Sequence, residues 1–400
     1  MSVSLMKFID EYFGRVIVFI ISGFKKLSGV KKNQNTGKNK NILLIKFWGI
    51  GSIILTSPAV KKIKAAYPES KIFFFTLKSN YDICRELKLS DEIITIDISG
   101  PAAFISDLIS RIKLLRKTGF DVVFDFEFYT YFSAVIVSLL KCGRSFGFDN
   151  LKNNRKILFT DTILFNDHVH TKDNFLQLVN TDETISAVNV TQSEFPYLKT
   201  FHDDHNGIMK IAVNVNASRL AYERRLPGNN YVEIIDHITE KFRCKVLLTG
   251  SNDETSYVND IYIKISDKDL VADMSGKTSV NELITLISSS CCLITNDSGP
   301  LHIASALNIP VIAFFGPETP VRYGPLSSKS MVFYKSLECS PCMSISNSKT
   351  VNCIYDSPKC MEQFEMKDVK RKIDLFITEL YEKKFSAMES QGHKKQNIAK

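Results

Sequence analysis

Residues 291–302 read Cys291-Cys292-Leu293-Ile294-Thr295-Asn296-Asp297-Ser298-Gly299-Pro300-Leu301-His302. Cys291 to Ile294 is a short apolar run suited to a buried strand. Thr295 to Gly299 are turn formers, and residues 300–307 read as a helix with Pro300 at its first position and Ser298 or Gly299 as N-cap. A strand that feeds a helix through a tight polar loop belongs to an α/β fold with a parallel sheet. The loop leaves backbone N–H groups and the positive end of the helix dipole at the sheet's carboxyl edge, where phosphates bind. Asp297 can accept from a sugar hydroxyl, Ser298 can donate to a phosphate, and His302 lies on the first turn facing the same space. An ordinary Asn-Asp-Ser-Gly turn with a capping aspartate is the competing explanation.

Outward from this loop the alternation repeats. Strands are expected at 42–47, 72–76, 92–96 and 121–126, with helices from 52 to about 67, then near 81–88, 103–117 and 129–141. A polar stretch, Phe201-His202-Asp203-Asp204-His205-Asn206-Gly207, reads as a linker. A second series follows, with strands at 211–214, 245–249, 291–294 and 311–315 and helices near 229–241, 253–264, 279–289 and 300–307. Each series predicts a doubly wound parallel sheet. The expected division is 1–40 as helix and basic linker, 41–202 and 208–338 as the two α/β units, 339–385 as a cysteine-rich segment with a crossing helix, and 386–400 as a disordered basic tail.

The composition, 44% hydrophobic and 24% charged over 400 residues, is that of a multidomain globular protein. A net charge of +8 is a mild excess, compatible with an anionic membrane surface or a phosphorylated substrate, and gives no sign of a nucleic-acid partner. Nine cysteines without a cleavable secretory signal point to a reducing compartment. Near the start, Leu5, Phe8, Ile9, Tyr12, Phe13, Val16, Ile17, Ile20 and Phe24 recur at helical spacing. The run Val16–Ile21 is far short of the ~20 residues needed to span a bilayer. Lys25, Lys26, Lys31, Lys32, Lys38 and Lys40 follow. An amphipathic helix beside a basic stretch fits an in-plane membrane anchor, and a helix docked on the protein's own core fits equally.

Val311-Ile312-Ala313-Phe314-Phe315 is a further buried strand, closed by Gly316-Pro317-Glu318-Thr319-Pro320 and Tyr323-Gly324-Pro325. With 295–302 this block resembles the C-terminal signature of the bacterial heptosyltransferases, glycosyltransferase family 9. Their members share Thr-Asn-Asp-Ser-Gly-Pro-x-His followed by Phe-Phe-Gly-Pro. The resemblance spans about 41–385, strongest at 291–325 and weakest at 98–175. It implies a GT-B fold, two Rossmann-like domains facing a cleft. It implies an inverting, metal-independent glycosyltransferase acting on a nucleotide-sugar donor, ADP-heptose first. The implied acceptor is a lipid-linked glycan such as lipopolysaccharide core, and the implied place is the cytoplasm, peripheral on the inner face of the inner membrane.

Phe47-Trp48-Gly49-Ile50-Gly51-Ser52 resembles the family's first motif, with Gly49 and Gly51 in the acceptor-side loop. The family commonly carries Gly-Asp there, and that Asp is the proposed base; here the matching residue is Ser52. A serine cannot deprotonate an alcohol unaided, and inversion needs a general base. Asp125-Phe126-Glu127, on one face of a strand end, supplies carboxylates: Glu127, expected nearer the open cleft, as base, and Asp125 as a binding or structural acid. Capping of the helix near Thr130 is the alternative role for both.

On the donor side, Asn216-Ala217-Ser218-Arg219 and Glu223-Arg224-Arg225 resemble the loop in which a basic residue grips the diphosphate. Ser218, Arg224 and Arg225 are therefore candidates, against a solvated basic loop. Thr249-Gly250 opens a second strand-to-helix loop, expected under the nucleotide. Lys277, in Gly276-Lys277-Thr278-Ser279, is a candidate for base or ribose, while Ser279 with Glu282 reads as a capping box. Asp267-Lys268-Asp269 reads as a solvated turn. No cofactor is implied for catalysis. Cys339, Cys342, Cys353 and Cys360 have the spacing of a structural zinc site, with two disulfides or free thiols as the other possibilities. A transferase of this fold using another nucleotide sugar, an epimerase of the same fold and a catalytically silent nucleotide-sugar-binding protein are the rival functions.

Overall fold

The computed structural model describes residues 10, 12, 14–21, 40–140, 142–149, 154–189, 198, 208–217, 221–344, 349–351 and 353–398, with side chains to residue 382. The expected linker at 201–207 and Ser218 with Arg219 lie outside them.

The first parallel sheet contains β1 (Asn41–Ile45), β2 (Lys71–Leu77), β3 (Glu92–Ile96), β4 (Phe120–Asp125), β5 (Cys142–Asp149) and β6 (Asp161–Leu164), in the order β3-β2-β1-β4-β5-β6. The second contains β7 (Lys210–Asn214), β8 (Lys245–Thr249), β9 (Val271–Asp273), β10 (Cys292–Asn296), β11 (Val311–Phe315) and β12 (Ser330–Tyr334), in the order β12-β11-β10-β7-β8-β9. Counted from its own first strand, the second sheet has the order of the first. Both are the doubly wound Rossmann arrangement, whose ligands bind outside the carboxyl ends of the strands where the order reverses. That point lies between β1 and β4 in one sheet and between β7 and β10 in the other. Ile42 to Ile45 are buried on both faces, as an unbroken apolar run in the middle of a parallel sheet requires.

The two units meet through the helices that follow these strands. Ile50–Ile54 lies against Gly299–Ala306, and one apolar cluster runs from Ile53, Ile54 and Leu55 into Leu301, Ile303 and Ala304. Two glycines make this possible. Gly49 has φ 82°, a left-handed backbone. A Cβ on Gly51 would sit 2.2 Å from Cδ2 of His302, so no larger residue fits there.

The N-terminal segment docks on the first unit. Residues 14–21 are helical, Val18 is buried in the cluster of Leu43, Phe47 and Phe75, and Gly14 lies against Tyr131. Asp10 caps the helix Tyr131–Leu139, accepting from the N–H groups of Tyr131 (2.9 Å) and Phe132 (2.7 Å). The opposite side stays apolar and open: Tyr12, Val16, Ile17 and Ile20 are exposed and Phe19 is 80% exposed. The expected stripe residues Leu5, Phe8, Ile9, Phe13 and Phe24, and the lysines before Lys40, lie outside the described residues. Among the described residues no helix is long and apolar enough to cross a membrane.

The backbone of the last helix, Met366–Ile398, continues through the tail expected to be disordered. Val369, Ile373, Phe376 and Ile377 pack into the core of the second unit, and Asp374 pairs with His237 and Lys241, both at 2.7 Å, on the helix Gly228–Phe242.

Candidate active site at the facing strand ends

At the first switch point the chain leaving β1 meets the chain leaving β4. Glu127 was expected to project toward the open cleft, and it does not: it is fully buried. Its Oε1 accepts from the N–H groups of Phe47 (2.8 Å) and Trp48 (2.9 Å), and its Oε2 lies 2.9 Å from Lys46 Nζ. Burial lowers the pKa of Lys46, and Glu127 opposes that shift. Asp125 is equally buried. Its Oδ2 pairs with Arg155 at 2.7 Å and accepts from the Ser133 hydroxyl at 2.7 Å. Burial pushes its pKa up to about 6, against the pull of Arg155. Asp125 and Glu127 do share a face, as the strand period requires, but a lysine and an arginine from other segments cover it. Neither caps the helix Tyr131–Leu139, since Asp10 does. Ser52 and Gly51 stand in the short helix after β1, with Gly49 at its N-cap.

At the second switch point the polar residues pin two loops together. Asn214 Nδ2 donates to the hydroxyls of Thr295 (3.1 Å) and Ser298 (3.0 Å), which are themselves 2.9 Å apart. Asn296 Nδ2 donates to the carbonyls of Val215 and Asn216, and its Oδ1 accepts from the N–H of Leu226. Arg224 pairs with Asp297 Oδ2 at 2.9 Å. Ser298 is the N-cap of Gly299–Ala306, with Pro300 in the first turn. Arg225 lies between the rings of Tyr222 (4.3 Å) and Tyr257 (4.0 Å) and donates to Asn216 Oδ1. Gly250 is hemmed in by Asn216, Val258 and Ser275, and the buried Thr249 hydroxyl has no hydrogen-bond partner among the described residues. Lys277 instead turns back to the carbonyl of Asp273 at 2.7 Å, on the exposed side. Ser279 and Glu282 form the capping box.

His302 joins the two halves. It is buried against Gly51 and Tyr323, and among the described residues its Nδ1 has no hydrogen-bond partner. Burial lowers its pKa from the ordinary 6.5 to about 4, so the ring is neutral at pH 7. The sites thus lie on facing strand ends, one lined by Lys46 and Glu127 and the other by Arg224 and Asp297.

Residues 109–351 match glycosyltransferase family 9 (heptosyltransferase). The chain belongs to that family. This family 9 glycosyltransferase is 23% identical over 335 residues to lipooligosaccharide heptosyltransferase 2 of Campylobacter jejuni, covering 82% of this chain and 96% of the relative. In fold it resembles a family 9 glycosyl transferase from Veillonella parvula, with TM-score 0.67 and 18% identity over 88% of this chain and 100% of that one. It also resembles Escherichia coli ADP-heptose lps heptosyltransferase II, with TM-score 0.67 and 16% identity over 86% and 99% of the two chains.

Sequence reasoning missed Lys46, Arg155 and Asp10. Lys46 directly precedes the first motif, and a lysine ending an apolar strand run is the signal that could have found it. Arg155 and Asp10 reach the site from distant segments and left no local signal.

The cysteines Cys339, Cys342, Cys353 and Cys360 line one cavity of about 160 Å³ with Glu223 and Lys359. Among the described residues no three His, Cys, Asp or Glu side chains stand grouped to hold a metal ion.

The His302 ring gives a pH signature. The unfolded chain takes up its proton near pH 6.5 and the folded chain only near 4, so its contribution to stability falls as pH drops through that window. Relative to His302→Gln, the wild type should lose about 2 kcal/mol between pH 7 and pH 5 in urea melts. An unchanged difference would mean that the ring protonates freely in the fold.

Proposed function

We propose that this glycosyltransferase is an inverting, metal-independent heptosyltransferase that moves heptose from ADP-heptose to a lipopolysaccharide-core or similar lipid-linked glycan. The observation that carries the proposal is the Arg224–Asp297 pair at the N-terminus of Gly299–Ala306, opposite the Gly49–Ser52 turn. In this reading the donor diphosphate lies at that N-terminus, where the dipole and the backbone N–H groups favour anions. Arg224 offsets charge on the departing nucleotide, as charge-assisted hydrogen bonds do best in a partly buried site. Asp297 uses Oδ2 for Arg224 and has Oδ1 for a sugar hydroxyl. Neutral His302 packs behind this loop. The rest of the donor loop, Thr249, Gly250, Thr295, Asn296, Ser298 and Gly299, shapes the nucleotide site.

We assign Glu127 to holding the first-motif turn rather than to taking the acceptor proton, because the group is fully buried, its Oε1 accepts from Phe47 and Trp48, and its Oε2 faces the Lys46 ammonium. The family name and the named activities of the relatives support the donor and acceptor classes. The exposed apolar side of residues 14–21 beside a lysine-rich stretch supports peripheral attachment to the cytoplasmic face of a membrane. Four thiols line one cavity without standing grouped as ligands, so a structural zinc there would have to draw them together, tying the cysteine-rich segment to the second unit.

Thermal shift against nucleotide sugars tests the donor site. ADP-heptose at ~100 times its dissociation constant should add roughly 2.7 kcal/mol, and Asp297→Asn should remove most of that gain. Binding of no nucleotide sugar would sink the proposal. Binding without acceptor-dependent turnover would favour the silent binder, which the lack of a carboxylate at Ser52 allows.

Wild-type protein should sediment with vesicles of anionic phospholipid, and the doubly substituted Phe19→Glu, Ile20→Glu protein should stay in the supernatant. Equal sedimentation of both would remove the N-terminal helix from the membrane contact.

If the thiols do draw together on a metal, elemental analysis of purified protein should give one zinc per chain, lost in Cys353→Ser. A metal-free, fully folded wild type would leave the cysteines as plain thiols.

A further inference from the structure

A cation from the cysteine-rich segment reaches the seam between the two units. The segment is strapped to the loop after β11, with the N–H of Met343 donating to the Pro317 carbonyl at 3.0 Å and the Ser340 hydroxyl donating to that of Gly316. Lys349 then turns inward with φ 55°, a left-handed backbone that residues other than glycine rarely adopt. Its Nζ lies 3.6 Å from the Tyr323 ring centroid, 5.7 Å from that of Phe128 and 3.2 Å from Glu318 Oε2. The residue is 8% exposed.

Phe128 belongs to the other unit, on the chain leaving β4, and Lys46 Nζ lies 4.9 Å from the centroid of the same ring. Two ammonium groups, one from each unit, therefore flank one aromatic side chain. An ammonium has three N–H donors. Among the described residues Lys349 has one oxygen partner, and it shares that carboxylate with Arg322 at 2.6 Å. Lys46 has Glu127 as its oxygen partner. Each ammonium thus faces one carboxylate and keeps N–H donors beyond it, and an anion at the seam can take donors from both.

We propose that Lys349 is a substrate-binding residue, its ammonium gripping, with Lys46 across the seam, a phosphate group of a molecule held between the two units. This rests on the transferase reading, in which the phosphate comes from the donor's diphosphate or from a phosphorylated acceptor.

The test uses the full chain. ADP and, separately, inorganic pyrophosphate are titrated by calorimetry at several salt concentrations, and KM is measured for the nucleotide sugar and for phosphorylated and dephosphorylated acceptor. Losing a charge-assisted contact should make Lys349→Gln bind roughly tenfold more weakly, with a shallower salt dependence, while Lys349→Arg stays close to wild type. Loss on ADP assigns the phosphate to the donor; loss confined to the KM of phosphorylated acceptor assigns it to the acceptor. A merely structural lysine would lower the melting temperature and leave the salt slope unchanged. Where Lys349→Gln fails to fold, Lys349→Met keeps the stem on Tyr323 without the charge. ADP and pyrophosphate affinity, acceptor KM and salt slope all matching wild type would overturn the proposal. A wild type that binds no nucleotide sugar would instead refute the transferase reading, and the pyrophosphate titration would still decide for or against Lys349.

Discussion

The two sheets come together where a glycine meets a histidine ring, and the rest of the molecule is arranged by that contact. Because Gly51 has no Cβ, the helix after β1 lies directly against the helix after β10. The apolar cluster then continues from one unit into the other, and the two switch points face each other. Close packing of this kind tolerates little added volume. It also fixes the chemistry of His302: enclosed by Gly51 and Tyr323, the ring is held neutral. One steric constraint thus sets the spacing of the cleft and the charge of a residue beside it.

Charge is concentrated at the same strand ends. Lys46 with Glu127, Asp125 with Arg155, Arg224 with Asp297, and Glu318 with Arg322 are all largely buried pairs. Buried pairs add little net stability over apolar residues of similar volume, because desolvation offsets their attraction. A fold that needed only cohesion would have little use for four of them in one region. Rigid, partly dry charges are what a glycosyltransferase uses to meet charge developing on a departing nucleotide diphosphate.

Much of this architecture was legible in the chain. The central strands β1, β4, β7, β10 and β11 each carry an apolar run of three residues or more, and the loops after them carry the turn and capping residues that start helices. Less was legible at the sheet edges. β5 contains Gly143, Arg144 and Gly147, while β9 has only three residues, so neither shows a strand's apolar signature. In the site, Thr295 to Asp297 were recognisable because one short segment carries them. Glu127 was misplaced because local pattern gives the face of a side chain but not what covers it. The cover, Lys46 and Arg155, comes from segments far apart in sequence. Lys349 escaped for the same reason, since its position depends on a strap whose only local mark is a set of cysteines.

The Asp10 carboxylate that closes the start of Tyr131–Leu139 has a consequence for how the N-terminal segment should be regarded. That segment supplies a missing cap to the helix that follows β4, the strand leading to Glu127. Trimming the chain to its first strand would strip two amide donors of their acceptor, a defect of about 1 kcal/mol at a helix start. It would also uncover the Val18 socket over Leu43 and Phe47. Residues that look dispensable are therefore a clasp on the first unit, closing the helix that follows β4.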